Sequence, residues 1–194
     1  MEYDATRGWR LLAVLLFLAG LVALGLLGER WQAGIDRRLA PDEEVLVYYA
    51  TQDAMGLVGL PTRLPREQVT PEGVLDALFS GARRRGDYVN PIPMGGRVQW
   101  VQVSGPVATV SLNQALVDNH PGGSAGELLT VYGIVETLTQ LPGIQRVQLL
   151  VEGQRVESLK GHVDLTRPLA PDPGRIVQRR AERLQTGTPP AEGP

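Results

Sequence analysis

The chain contains no cysteine. That excludes a disulfide framework, thiolate metal sites, a thiol nucleophile and lipid attachment through a processed N-terminal cysteine. An excess of either charge is also missing: the formal net charge is −2 over 194 residues, so no global field recruits nucleic acid or an acidic substrate. Histidine is limited to His120 and His162. Asp118-x-His120 and His162-x-Asp164 would supply two halves of a metal or acid–base site only if their loops met in space, and no H-E-x-x-H pattern supports that. His162 is expected to be a turn residue. Ser111 and Ser124 lack a nucleophile-elbow glycine pattern, and Gly95-Gly96 and Gly122-Gly123 lack the spacing and the following Lys-Ser or Lys-Thr of a phosphate loop. Both glycine pairs are read as turns. No repeat is visible, and no cofactor is expected.

What is present is apolar content, 43% of residues, enough for one domain with appendages. Residues 11–28 carry no charged or strongly polar side chain, and a helix of that length spans about 27 Å, close to a bilayer's hydrocarbon core. One transmembrane anchor is expected there, with Trp9 and Trp31 bracketing it and a short N-terminus at 1–10. The competing reading is a cleaved leader, but Ala23-Leu24-Gly25 is a poor cleavage signal and the apolar run continues past it. Arg7 and Arg10 precede the run while Arg30, Arg37 and Arg38 follow it, so these charges do not orient it. Residues 29–43 read as a juxtamembrane stalk, 44–169 as the folded domain, and 170–194 as a Pro- and Arg-rich tail that is partly disordered. Arg175, Arg179, Arg180 and Arg183 give part of that tail a loosely helical pattern.

Within the domain, the stretch from Ser124 to Val151 organises the rest. Ser124-Ala125-Gly126-Glu127 has the spacing of a capping box, so the Ser124 hydroxyl and the Glu127 carboxylate are expected to cap a helix start reciprocally. Leu128, Val131, Ile134, Val135 and Leu138 share one face of that helix, with Glu127, Thr130, Glu136 and Gln140 off the stripe. Pro142-Gly143 stops it, and Val147, Leu149 and Val151 alternate along a strand behind it. Thr70-Pro71-Glu72 starts a second helix by a capping hydroxyl, a proline at the first position and an acid on the dipole. Val74, Leu75, Leu78 and Phe79 make its buried face, and Gly81 or Gly86 ends it. Strands are expected at 45–50, 98–103, 107–112 and 154–157, with a short edge strand near 57–60 inside a loop. The fold class is therefore α+β: a mixed sheet of about four strands with two helices on one face.

Candidate contact residues are few. Arg83-Arg84-Arg85 near the C-terminus of the helix that starts at Thr70 either complements its dipole or forms a patch for anionic wall polymer or lipid headgroups. Tyr88 and Asn90 in the glycine-rich loop, with Trp100 on the following strand, are candidates for a glycan-stacking surface, although Trp100 also suits a half-buried sheet position.

Several ordered segments carry a resemblance. They are Leu46-Val47-Tyr48-Tyr49, Ala77 to Gly81, Pro93-Met94-Gly95, Val107 to Leu112, Ile134 to Ile144, Val147 to Gly153 and Leu159 to Leu165 with its Gly161-His162. Together they resemble the GerM domain of bacterial sporulation and germination proteins across about 44–169, departing from it where Ser80-Gly81 replaces a common Gly-Pro. The resemblance implies a ring-building-motif-like fold, an extracytoplasmic place in the cell envelope with the N-terminus inside, and no catalytic residues to carry over. It implies a non-catalytic module acting in sporulation, germination or envelope assembly through contacts with envelope proteins or itself. Peptidoglycan binding is the alternative and a wall hydrolase the remotest reading; no nucleic acid is expected.

Overall fold

The computed structural model describes Leu18 and residues 42–177. The expected anchor at 11–28 and most of the stalk lie outside the described residues, as does the tail beyond 177. Among the described residues no helix is long and apolar enough to cross a membrane.

The domain is α+β, but its strands form two sheets rather than one. β1 (Asp42–Thr51) pairs antiparallel with β2 (Leu57–Pro65) along its whole length, from Asp42↔Pro65 to Ala50↔Leu57. The expected short edge strand is therefore a nine-residue strand. Pro61 and Pro65 are tolerated because β2 lies at the sheet edge, where a missing N–H breaks no ladder. Two-residue strands β3 (Arg84–Arg85) and β4 (Tyr88–Val89) complete the order β2-β1-β4-β3. Arg84 and Arg85 thus belong to a strand rather than to a helix terminus. The second sheet, β5-β6-β7, is mixed: β5 (Val98–Ser104) and β6 (Val107–Leu112) form the expected hairpin, and β7 (Arg146–Val151) runs parallel to β6. The expected strand at 154–157 is reduced to one bridge, Val151↔Gln154.

Helix α1 (Pro71–Phe79) starts as its sequence dictates, with the Thr70 hydroxyl accepting from the Gly73 amide at 3.1 Å. A short helix, α2 (Gln114–Asp118), occupies part of the loop before the long helix α3 (Ser124–Thr139). α1 and α3 touch each other and both sheets, rather than lying together on one face of one sheet. Val74, Leu75 and Leu78 of α1 meet Val131, Ile134, Val135 and Leu138 of α3 in one core that also takes Ala108, Val110 and Leu112 from β6 and Val147 and Leu149 from β7. Each fully buried aliphatic of this size contributes about 1.5–3 kcal/mol.

The capping box does not form. Gly123, at φ 80°, is the capping residue, and no side chain caps the helix. Glu127 is instead 0% exposed, and its carboxylate accepts from the Leu159 amide at 2.8 Å and the His162 amide at 2.9 Å. Thr130 and Glu136, expected off the apolar stripe, are also buried, while Leu128 is only half-buried. α3 is enclosed on nearly every side because polar neighbours satisfy its polar positions. Glu136 accepts from the Asp172 amide at 2.7 Å, and Gln140 at the helix end both accepts from the Leu46 amide at 2.7 Å and donates to the Leu46 carbonyl.

Candidate functional site

A groove of about 900 Å³ lies between α1 and β5. Glu72, Asp76 and Ser80 recur every four residues and so share one side of α1, and together with Gly73 and Phe79 they form one wall. Gly95 to Trp100 form the other. Trp100 is 41% exposed and belongs to this wall. The ladder between β5 and β6 shifts register between Val98 and Trp100, a bulge that leaves Gln99 unpaired and turns the strand locally.

The β5 wall is held in place by an extensive polar network. Gln99 donates to the Glu152 carboxylate at 2.6 Å and accepts from the Ser111 hydroxyl at 2.7 Å, and that hydroxyl accepts from the Gly153 amide at 2.9 Å. The other Glu152 oxygen accepts from the Gln114 amide at the start of α2, at 2.7 Å. That amide first, and Gln99 second, hold the Glu152 carboxyl below its ordinary range. The preceding turn is fixed by two asparagine amides, Asn113 to the Gly95 carbonyl at 2.9 Å and Asn119 to the Met94 carbonyl at 2.8 Å. Gly96 packs so tightly that a Cβ there would sit 3.1 Å from the Pro93 carbonyl oxygen.

The structure separates the candidate contact residues. Of the presumed stacking set only Trp100 reaches the surface: Tyr88 is 2% exposed and Asn90 is 3% exposed. Asn90 donates to the carbonyls of Leu78 and Gly81 and accepts from the Ile92 amide, tying α1 to the loop behind it. The three arginines differ in their partners, although Arg83 is exposed as well as Arg84. Arg83 donates to the Ile92 carbonyl, and Arg85 donates to the Thr62 hydroxyl and the Pro61 carbonyl while lying 5.7 Å from the centre of the Tyr49 ring. Arg84 is exposed. The groove's own acids, Glu72 and Asp76, escape notice in the sequence because their first turn reads only as dipole complement. Their four-residue spacing on the polar side of an amphipathic helix was the available signal.

The two histidines do not converge. His120 is buried; its Nδ1 accepts from the Gly122 amide at 2.9 Å, and its Nε2 lies 3.1 Å from the Thr130 hydroxyl, which itself donates to the Pro91 carbonyl at 2.7 Å. The ring is therefore neutral with its proton on Nε2. Burial lowers its pKa, against a smaller opposing pull from Glu127. His162 is exposed, beside a recess of about 380 Å³ that also takes Arg146, Arg167 and Arg175. Asp118 accepts from Gln114, and Asp164 accepts from Thr166 and pairs with Arg167 at 3.4 Å. Among the described residues no group of three or more carboxylates and imidazoles is placed to hold a metal ion.

Comparison with known proteins agrees with this architecture. No curated protein matches the chain. Among solved structures, the tandem GerMN domains of the sporulation protein GerM from Bacillus subtilis align with TM-score 0.55 and 18% identity, over 69% of this chain and 47% of that one. The chain thus spans about half of that two-domain structure. The first GerMN domain of the same protein aligns with TM-score 0.50 and 17% identity, over 68% of this chain and 95% of that one. A candidate lipoprotein from Clostridium perfringens aligns at TM-score 0.48 and 22% identity, over 67% and 88% of the two chains. At these identities the two GerM structures establish the fold alone. The Germane family, described as sporulation and spore germination, matches residues 46–157, more than half of the chain. On that match the protein belongs to the Germane family of sporulation and spore germination domains.

Proposed function

We propose that the protein is a non-catalytic, extracytoplasmic module that joins other envelope proteins, or copies of itself, in an assembly serving sporulation, germination or envelope maintenance. It is held at the membrane by the apolar run at 11–28. One observation carries the non-catalytic part: the buried side chains suited to acid–base work are engaged by the fold's own backbone, and no imidazole lines the groove that Glu72 and Asp76 face. Glu127 accepts from the Leu159 and His162 amides, Glu136 from the Asp172 amide, and His120 from the Gly122 amide. A reacting site needs such groups facing one another across a cleft. The surface is better suited to contact, with Trp100 at 41% and Val103 at 45% exposed on one strand. Photo-crosslinking in living cells from surface positions of the full chain, followed by mass spectrometry, tests the reading. Recovery of discrete crosslinked species is expected; recovery of monomer alone refutes it.

A second reading, glycan binding, is favoured by Trp100 standing in the groove with the amide of Gln68. The removal of Tyr88 and Asn90 to the interior weakens it. Sedimentation with purified peptidoglycan decides: retention lost in Trp100→Ala supports it, and no retention ends it.

A further inference from the structure

A sheet edge left open is an aggregation hazard, and most edges of this domain are visibly closed. Along β1, beyond its two pairs with β4, the Leu46 backbone is clasped by Gln140 and the Tyr48 amide reaches the Thr137 hydroxyl at 3.3 Å. The β2 edge carries Pro61, Arg63 and Pro65, and its first residue, Leu57, accepts from the Val177 amide at 2.8 Å. The β7 edge exchanges two 2.8 Å backbone bonds between Val147 and Leu169, and its Val151 amide donates to Gln154. The outer edge of β5 differs. It belongs to a seven-residue strand, V-Q-W-V-Q-V-S, with no charge and no proline, and among the described residues nothing pairs with its backbone there.

The geometry points to this edge as a strand-addition site: we propose that an extended, lysine- or arginine-bearing segment of a partner envelope protein pairs with β5 and lies in the groove against α1. The two-residue turn Gly105-Pro106 makes Ser104↔Val107 the hydrogen-bonded closing pair. By alternation Gln102 and Trp100 aim their amides at β6, whereas Val101 and Val103 aim theirs outward. The groove runs beside the first residues of this strand, Val98 to Trp100, and Val103 lines a separate recess of about 360 Å³ with Glu43 and Arg66. Charge selects the occupant. Glu72 and Asp76 line the α1 wall and have no ion-pair partner among the described residues, against the single cation Arg97 at the end of the strand. Main-chain bonds to β5 would supply affinity and the two carboxylates the preference for a basic side chain.

The inference rests on the reading of the protein as an assembly module, and the test separates the two. The full chain in detergent is mixed with a seven-residue β-forming peptide carrying two lysines, or with its twin carrying two glutamates, and backbone amide exchange is followed. The lysine peptide should slow exchange at Val101 and Val103 by about tenfold when present at about ten times its Kd, and the twin should not. Val101→Pro removes an outward amide without removing a ladder bond, so it should abolish protection while thermal unfolding stays near that of the parent. Should Val101→Pro unfold, Glu72→Lys with Asp76→Lys on the exposed helix side serves instead, and should reverse the preference toward the glutamate peptide. Equal protection by both peptides overturns the assigned chemistry. Self-association of the full chain that Val101→Pro abolishes overturns it in favour of a second copy. No protection by either peptide, with discrete crosslinks still recovered in cells, overturns the site and leaves the assembly reading standing.

Discussion

Replacing Glu127 by glutamine should cost about 2–4 kcal/mol, because a hydrogen bond to a charged acceptor is worth about 1.5–3 kcal/mol and a neutral one about 1. In the parent protein the two carboxylate oxygens accept from the Leu159 and His162 amides, at 2.8 and 2.9 Å, in a site 0% exposed. Glutamine keeps one oxygen without its charge and turns an NH₂ group toward the second amide, so one bond weakens and the other becomes a donor–donor contact. Urea unfolding at pH 7 measures the loss, and amide exchange at Leu159 and His162 localises it. The pH dependence supplies a second check. Burial alone would raise the Glu127 carboxyl, but the amides of Lys160, His162, Leu159 and Val163 together outweigh it and hold it below the ordinary 4.5. Because the folded value lies below the unfolded one, the stabilisation is fully present above pH 4.5 and drains away as pH falls through the depressed value. The gap between parent and variant should therefore narrow in acid. An unchanged midpoint at pH 7, with unchanged exchange at both amides, would show that the carboxylate does not hold this loop.

The same substitution one face along the helix should behave in the opposite way. Burial first, and the Asp172 charge after the opposing Asp172 amide, raise the Glu136 carboxyl, so its ionised form opposes folding as pH rises through that value; Glu136→Gln keeps an acceptor for the Asp172 amide and should unfold no earlier than the parent at pH 7 by calorimetry. Thr70→Ala removes a working cap and should cost about 1 kcal/mol, whereas Ser124→Ala should change stability by less than about 0.5 kcal/mol, both read from thermal melts. His120 should titrate below 6.5 when its ring protons are followed by NMR, with stability full above pH 6.5 and declining as pH falls toward the depressed value; a midpoint above 6.5 would contradict the assigned neutral tautomer.

Local chemistry made part of this fold legible. Thr70-Pro71 states a helix start within three residues, and the alternation at Ala108, Val110 and Leu112 names the buried side of β6. Groups whose partners lie far along the chain were illegible. Glu127 matched the capping-box spacing, yet its partners are amides beyond residue 157, and no local pattern distinguishes the two uses. The division into two sheets was hidden for a related reason. Gln140 and Thr137 of α3 take bonds along β1 that a further strand would otherwise supply, and side-chain caps of that kind leave no periodicity. At the site, Trp100 was visible as an aromatic on a strand, but Glu72 and Asp76 joined it only when α1 was laid beside β5.

The two clasping carboxylates of α3 also set where the domain can be cut. The family match stops at residue 157, but Glu127 grips residues 159 and 162 and Glu136 grips residue 172. A fragment trimmed to the family's borders would retain the helix while stripping both carboxylates of the amides that donate to them. A fragment that keeps all of these bonds runs on at least to residue 172, and to residue 177 if it is also to keep the Leu57–Val177 tie, so the irregular final stretch is a keystone rather than a trailing end.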